Sequence, residues 1–146
     1  MIDKQNTNSA DPDDNGVGRV LGSEHTSTRD FRVVLDDTEY LQLDDLVVVR
    51  TQVPKQGEVR TYGIVTEVAA VYEGASFESD TRRIAVDGTL PGAKVRSAEI
   101  AITRVDPELW VSPDPGEKVE RARGSERDKA LYVDEMGRPL PIGIGR

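Results

Sequence analysis

Leu43-Asp44-Asp45-Leu46-Val47-Val48-Val49-Arg50, followed after a polar loop by Tyr62-Gly63-Ile64-Val65-Thr66-Glu67-Val68, decides the fold. The first segment is an apolar, β-branched run and the second alternates. They read as two successive strands separated by the turn-rich Pro54-Lys55-Gln56-Gly57. Leu46 to Val49 is apolar on both parities, and because neighbouring side chains of a strand point to opposite faces, this one needs a cover on each side. Tyr62, Ile64 and Val68, set against Gly63 and Glu67, describe a partner strand with one wetter face. Asp44 and Asp45 invite a cation-binding or acid/base reading. Adjacent strand residues cannot easily share one ion, however, and a turn at the strand entry is the favoured reading.

Working outward toward the N-terminus, Asp36-Asp37-Thr38 supplies a turn. Before it, Phe31, Val33 and Leu35 alternate with Arg32, Val34 and Asp36 as in a half-buried strand. His25, the single histidine, lies in the polar Ser23 to Asp30 connection without a second histidine or a cysteine beside it. A solvated loop residue is therefore preferred to a general base. Gly16 to Gly22 reads as a short first strand whose glycines permit a bend or a close backbone approach. No Gly-Lys-Ser/Thr ending follows, so a phosphate loop is not supported. Residues 1 to 15 are polar and acidic, with too little apolar surface to offset the entropy of ordering, and are expected to be a disordered tail.

Toward the C-terminus, Glu73 to Lys94 is the longest irregular section, with a piece of strand expected at Arg83-Ile84-Ala85-Val86. Long loops are often functional, which makes it an interaction candidate. Val95 to Val105 is a strand, with Ala98, Ile100 and Ile102 on one face, closed by Asp106-Pro107. Glu108 to Val111 continues it briefly, and Trp110 reads as a packing residue of core or rim. Lys118 to Ala122 is a last short strand with Val119 on one side. Ser125 and Asp128 resemble a capping box opening a helix of two to three turns through Leu131, Tyr132 and Val133, with Gly137 placed to end it. The sum is a mainly β chain: a small closed or partly open barrel of about six strands over 16–124, then a short helix and connector over 125–146.

Composition limits the function classes. A net charge of −8 and a sequence pI near 4.7 oppose non-specific attraction to nucleic acid. The positive charges are 14 Arg against 5 Lys, a bias toward the side chain that makes planar, bidentate contacts. The absence of cysteine excludes disulfides, thiolate metal sites and a thiol nucleophile, and makes a cytoplasmic location the default. No run approaches the length of a membrane helix.

The order of motifs carries a resemblance. Gly18-Arg19-Val20-Leu21-Gly22, Leu43-Asp44-Asp45-Leu46-Val47, Tyr62 to Val68, Thr103-Arg104-Val105-Asp106-Pro107-Glu108 and Pro113-Asp114-Pro115-Gly116-Glu117-Lys118-Val119 together resemble the N-terminal HAS-barrel of HerA-type ATPases. The likeness continues through Ala130-Leu131-Tyr132 and Leu140-Pro141-Ile142-Gly143. In that family a RecA-like core follows and holds ATP and Mg²⁺. This chain has no P-loop, so the resemblance implies no catalytic, cofactor or metal residue in it. It implies a barrel serving hexamer assembly and the docking of a NurA-like nuclease or another effector, in DNA end processing or phage defence, with DNA engaged only indirectly. The surface for this would be carried by Asp80, Arg82 and Arg83 of the long section, by Trp110, and by Arg121 and Tyr132 on the way to the motor. The section from 73 to 94 is long for a minimal barrel of that type. Two other classes are a free-standing OB-like module for single-stranded nucleic acid, and a small hydrolase built on His25 with Asp44 or Asp45.

Overall fold

The computed structural model describes residues 15–73, 80, 82–88 and 92–135. Six antiparallel strands close a barrel: β1 (Gly16–Val20), β2 (Asp30–Leu35), β3 (Leu46–Val53), β4 (Gly57–Tyr72), β5 (Lys94–Asp106) and β6 (Lys118–Arg121). Their order around the barrel is β1-β2-β5-β4-β3-β6. One short helix, α1 (Ser125–Ala130), and a 3-10 turn at Val133–Glu135 follow. Among the described residues no helix is long and apolar enough to cross a membrane.

The predicted alternation fills the barrel. Phe31, Val33 and Leu35 of β2, Ala98 and Ile100 of β5, and Val17, Val20 and Val119 meet Val47, Val49 and Val65 in the interior. The other parity of β3 is buried as well. Leu46 and Val48 form a second cluster with Tyr62, Ala122 and Ala130, on the outside of the sheet beneath α1. The apolar run thus has both of the covers it required, one from the barrel and one from a helix.

Several expectations need correction. The polar stretch after Arg50 is no loop: β3 runs to Val53 and β4 starts at Gly57, with only a tight turn between. Thr51 and Thr61 are buried among the inward residues at that end, and the Thr51 hydroxyl donates to Glu117 Oε1 at 2.7 Å. Hydroxyls in place of methyls hid the alternation. Tyr62 and Ile64 do not look to the barrel interior; they lie under α1, while Val59, Thr61 and Val65 occupy the buried inward parity. Arg83–Asp87 forms a π-helical turn with no buried residue rather than a strand. Glu108 to Val111 adds no strand to the sheet.

The helix also differs. Its N-cap is Gly124, with no side-chain cap, and it ends after six residues, where Leu131 leaves the helical conformation and Tyr132 adopts φ 60°. Glu126 of its first turn pairs with Arg50 at 2.6 Å, which ties the helix start to β3. Gly137 lies outside the described residues, as do residues 1–14 of the expected tail. Asn15 is within them, and its carbonyl accepts from the Arg121 backbone N–H at 2.8 Å.

β1 shows the close approach its glycines suggested. A Cβ on Gly18 would collide with the Val34 carbonyl of β2, a backbone group that cannot swing aside. Gly18→Ala is expected to lower stability by about 1 to 3 kcal/mol through overpacking. Gly22→Ala, whose Cβ would sit 3.4 Å from Pro115 Cβ, should stay within about 0.5 kcal/mol of the parent. Urea denaturation of the two variants beside the parent checks both values.

Candidate functional site

The seam where α1 lies on the barrel collects most of the charged chemistry. Arg50, on the outer face of β3, donates to Glu120 Oε1 at 2.7 Å and Glu126 Oε1 at 2.6 Å, which ties β3, β6 and α1 together. Arg104, near the end of β5, donates to Asp134 at 2.6 Å and Glu135 at 3.0 Å and lies 4.9 Å from the Tyr132 ring centroid. The hydrogen bond to Asp134 raises this guanidinium above its ordinary value, so its charge is fixed at any working pH.

Arg121 is the third such clamp. It ends β6, and its guanidinium donates to Asp45 at 3.2 Å and to the Tyr40 carbonyl, with Glu39 3.9 Å away. The same group lies 4.9 Å from the centroid of the Tyr40 ring. Asp45 in turn accepts from the Gln42 N–H at 2.9 Å, while Asp44 takes φ 69° in the turn. The paired aspartates are therefore a strand-entry turn, as read, but Asp45 has a second task in holding Arg121.

Beside this clamp lies a cleft of about 530 Å³ between the strand entry and α1. Leu46, Ile64, Ala122 and Leu131 supply its apolar wall, and Asp44, Asp45, Arg121, Arg123 and Arg127 its charged groups. Arg123 and Arg127 are exposed, and neither makes an ion pair or a side-chain hydrogen bond among the described residues. With Arg121 and Asp45 compensating each other, Asp44 is the remaining carboxylate against two guanidiniums. The cleft is thus cationic on a chain of net charge −8.

The six candidate residues do not gather at one place. Arg121 lines this cleft, and Tyr132 lines a separate depression of about 290 Å³ with Arg104, Asp106, Glu108 and Glu135. Trp110 is 52% exposed, so it is not a core residue. Asp80 is buried, whereas Arg82 and Arg83 are exposed beside the π-helical turn. His25 sits exposed in its loop. Among the described residues no cluster of His, Asp and Glu could hold a metal ion.

Sequence reasoning missed Tyr40, Asp45 as an ion-pair partner, Arg104, Arg123 and Arg127. The only signal for them was the arginine excess, which has no positional content. No protein-family model matches the chain, and no curated protein matches it.

Replacing Arg121 leaves a half-buried carboxylate without its partner. Arg121→Ala is expected to cost about 2 to 3 kcal/mol. Arg121→Lys should recover only part of that loss, because an ammonium cannot serve Asp45, the Tyr40 carbonyl and the ring at once. A cycle with Tyr40→Leu should return a coupling of about 0.5 to 1 kcal/mol. Urea unfolding of the parent, Arg121→Ala, Arg121→Lys, Tyr40→Leu and the Arg121→Ala/Tyr40→Leu double variant gives these values.

Proposed function

We propose that this domain is a non-catalytic barrel of the HerA type, serving ring assembly and effector docking for an ATP-dependent DNA translocase. One observation carries the reading: the motifs that resemble the HAS-barrel fall, in chain order, on five of the six strands of a single closed barrel and their approaches. Gly18 to Gly22 covers the end of β1, Leu43 to Val47 enters β3, and Tyr62 to Val68 lies in β4. Thr103 to Glu108 ends β5, and Pro113 to Val119 turns into β6. On this reading ATP and Mg²⁺ belong to a RecA-like core, the assembly is a cytoplasmic hexamer, and a NurA-like nuclease or another effector is the partner.

The shape of the sheet supports a docking role. A closed barrel hides its strand edges, but β4 outruns β3. Its pairing with β3 stops at Ile64, and beyond the backbone bonds of Val65 to Asp44 and Asp45 its flank has no further strand among the described residues. Val68 and Val71 on that extension are 44% and 61% exposed. Such an edge takes a strand from another chain through main-chain hydrogen bonds. The OB-like alternative gains nothing comparable, since the exposed rings of Tyr40 and Tyr132 already lie against guanidiniums.

Two measurements test the reading. The reading frame downstream of this domain should encode a Gly-x-x-x-x-Gly-Lys-Ser/Thr loop, and a frame without one removes the assignment. In the full-length protein, Val68→Lys with Val71→Lys should abolish ring assembly or effector capture in native mass spectrometry. The same pair should change the domain's stability by no more than about 0.5 kcal/mol, as for an exposed site. Unchanged assembly would refute the role of this edge.

A further inference from the structure

Two carboxylates frame the open flank of β4 and restrict what can pair with it. The Glu73 N–H donates to the carbonyl of Ala93, the residue opposite it, at 2.8 Å, and the register runs back through Tyr72↔Lys94 and Val71↔Val95 to Glu67↔Glu99. Backbone groups of an antiparallel strand turn alternately to one neighbour and the other, so Glu67, Ala69, Val71 and Glu73 exchange bonds with β5. Val68, Ala70 and Tyr72 then point their N–H and C=O groups to the flank, where none finds a partner among the described residues. Side chains alternate too: Val68, Ala70 and Tyr72 share one face, and Glu67, Ala69, Val71 and Glu73 the other. Glu67 and Glu73 are exposed, and neither makes an ion pair among the described residues. The cations of the extension, Lys94 and Arg96, stand opposite Tyr72 and Ala70 and so lie on the face away from these glutamates.

A second copy of the chain fits this edge badly. The antiparallel register that engages Val68, Ala70 and Tyr72 on both copies sets Ala70 against Ala70 and, twice over, Glu67 against Glu73. Those are non-hydrogen-bonded sites, where side chains come closest. A parallel in-register pairing sets each glutamate against itself. Like charges directly opposite one another destabilise a strand pair. The glutamates thus guard the edge against its own copies and leave it to a strand of opposite charge.

We propose that the β4 flank takes one extended segment of a different protein, with Lys or Arg at both ends and apolar residues between. This names the partner of the docking edge described above and rests on that reading. The basic residues fall opposite Glu67 and Glu73, and the pattern is symmetric, so it serves a strand running in either direction. Between them, alternate residues meet Ala69 and Val71 on one face and Val68, Ala70 and Tyr72 on the other. On that second face a depression of about 320 Å³, lined by Leu35, Tyr40, Leu41 and Val68, borders the flank and receives the side chain opposite Val68. Main-chain bonds and apolar contact hold such a segment, while the charges select it and fix its register.

The test uses the full chain and two capped peptides, Lys-Val-Val-Thr-Val-Val-Lys and the same sequence with Glu at both ends. Fluorescence anisotropy should show the Lys peptide binding at least about tenfold more tightly. Glu67→Lys with Glu73→Lys, both at exposed positions, should invert the preference. With the Lys peptide bound, amide hydrogen exchange at Val68, Ala70 and Tyr72 should slow by at least about tenfold, while Ala69 and Val71, already bonded to β5, change little. Affinities of the parent for the two peptides within about twofold of each other, no binding of either, or no slowing at those amides would overturn the proposal. If the Lys pair disturbs the barrel, Glu67→Gln with Glu73→Gln should bring the two affinities together, and a preference that persists there overturns it equally. A failed preference beside lost capture in Val68→Lys with Val71→Lys removes the basic segment and leaves the docking edge standing, whereas unchanged assembly in that pair removes the edge itself.

Discussion

The structure depends on burying β3 from both sides. Val47 and Val49 face the barrel interior, while Leu46 and Val48 face outward onto Tyr62, Ala122 and Ala130. A strand of this composition cannot belong to a barrel wetted on its outside, since the outward row would stand in water. The helix is therefore part of the core, although it has only six residues and buries one of them, Ala130. A helix that short has no stability of its own in water. It is held by the apolar seam beneath it and by the arginines at its margins.

Those arginines explain where the positive charge of an acidic chain has gone. Arg50 bridges two carboxylates on different elements, Arg104 bridges two more while lying against Tyr132, and Arg121 joins a carboxylate, a carbonyl and a ring. Each job needs a planar group with several donors in fixed directions, which lysine lacks. Isolated surface pairs contribute little, but these are half-buried and each connects segments far apart in the chain. The arginine excess thus has a structural use at the junction of helix and barrel, whatever codon bias also contributes.

The same distinction decides what could be read from the sequence. β2, β5 and the interior half of β3 were legible because their signal is periodic and local: Phe31, Val33 and Leu35, or Ala98 and Ile100, announce a face by themselves. The ends of β3 and β4 were hidden by Thr51 and Thr61, which occupy inward positions with hydroxyls. The barrel's outer cover was anticipated from the double parity, yet its source, a helix about eighty residues later, was not. At the site, the sequence marks Arg121 and Tyr132 but not their partners. The Arg121 contact with Tyr40 spans 81 residues and that with Asp45 spans 76, and a contact of that separation leaves no local pattern in either segment.

Closure and overrun together determine where this domain can meet anything else. Around most of the barrel each strand has two neighbours, so its main chain is consumed internally. One exception among the described residues is the part of β4 beyond Val65, where β5 continues alongside from Glu67↔Glu99 to Tyr72↔Lys94 and no strand pairs on the other flank. This two-stranded extension offers main-chain donors and acceptors with Val68 and Val71 beside them, and recognition there is by strand pairing and apolar contact. The cleft beside α1 offers the opposite: an apolar wall and two guanidiniums that make no ion pair among the described residues. A partner read by charge and a partner read by backbone would therefore dock at different places. The strand entry at Asp44 and Asp45 stands between them, since Asp44 and Asp45 bond the backbone of Val65 while Asp45 holds Arg121. Any displacement of that turn would be felt at both surfaces, because the same two residues anchor the root of the extension and the wall of the cleft.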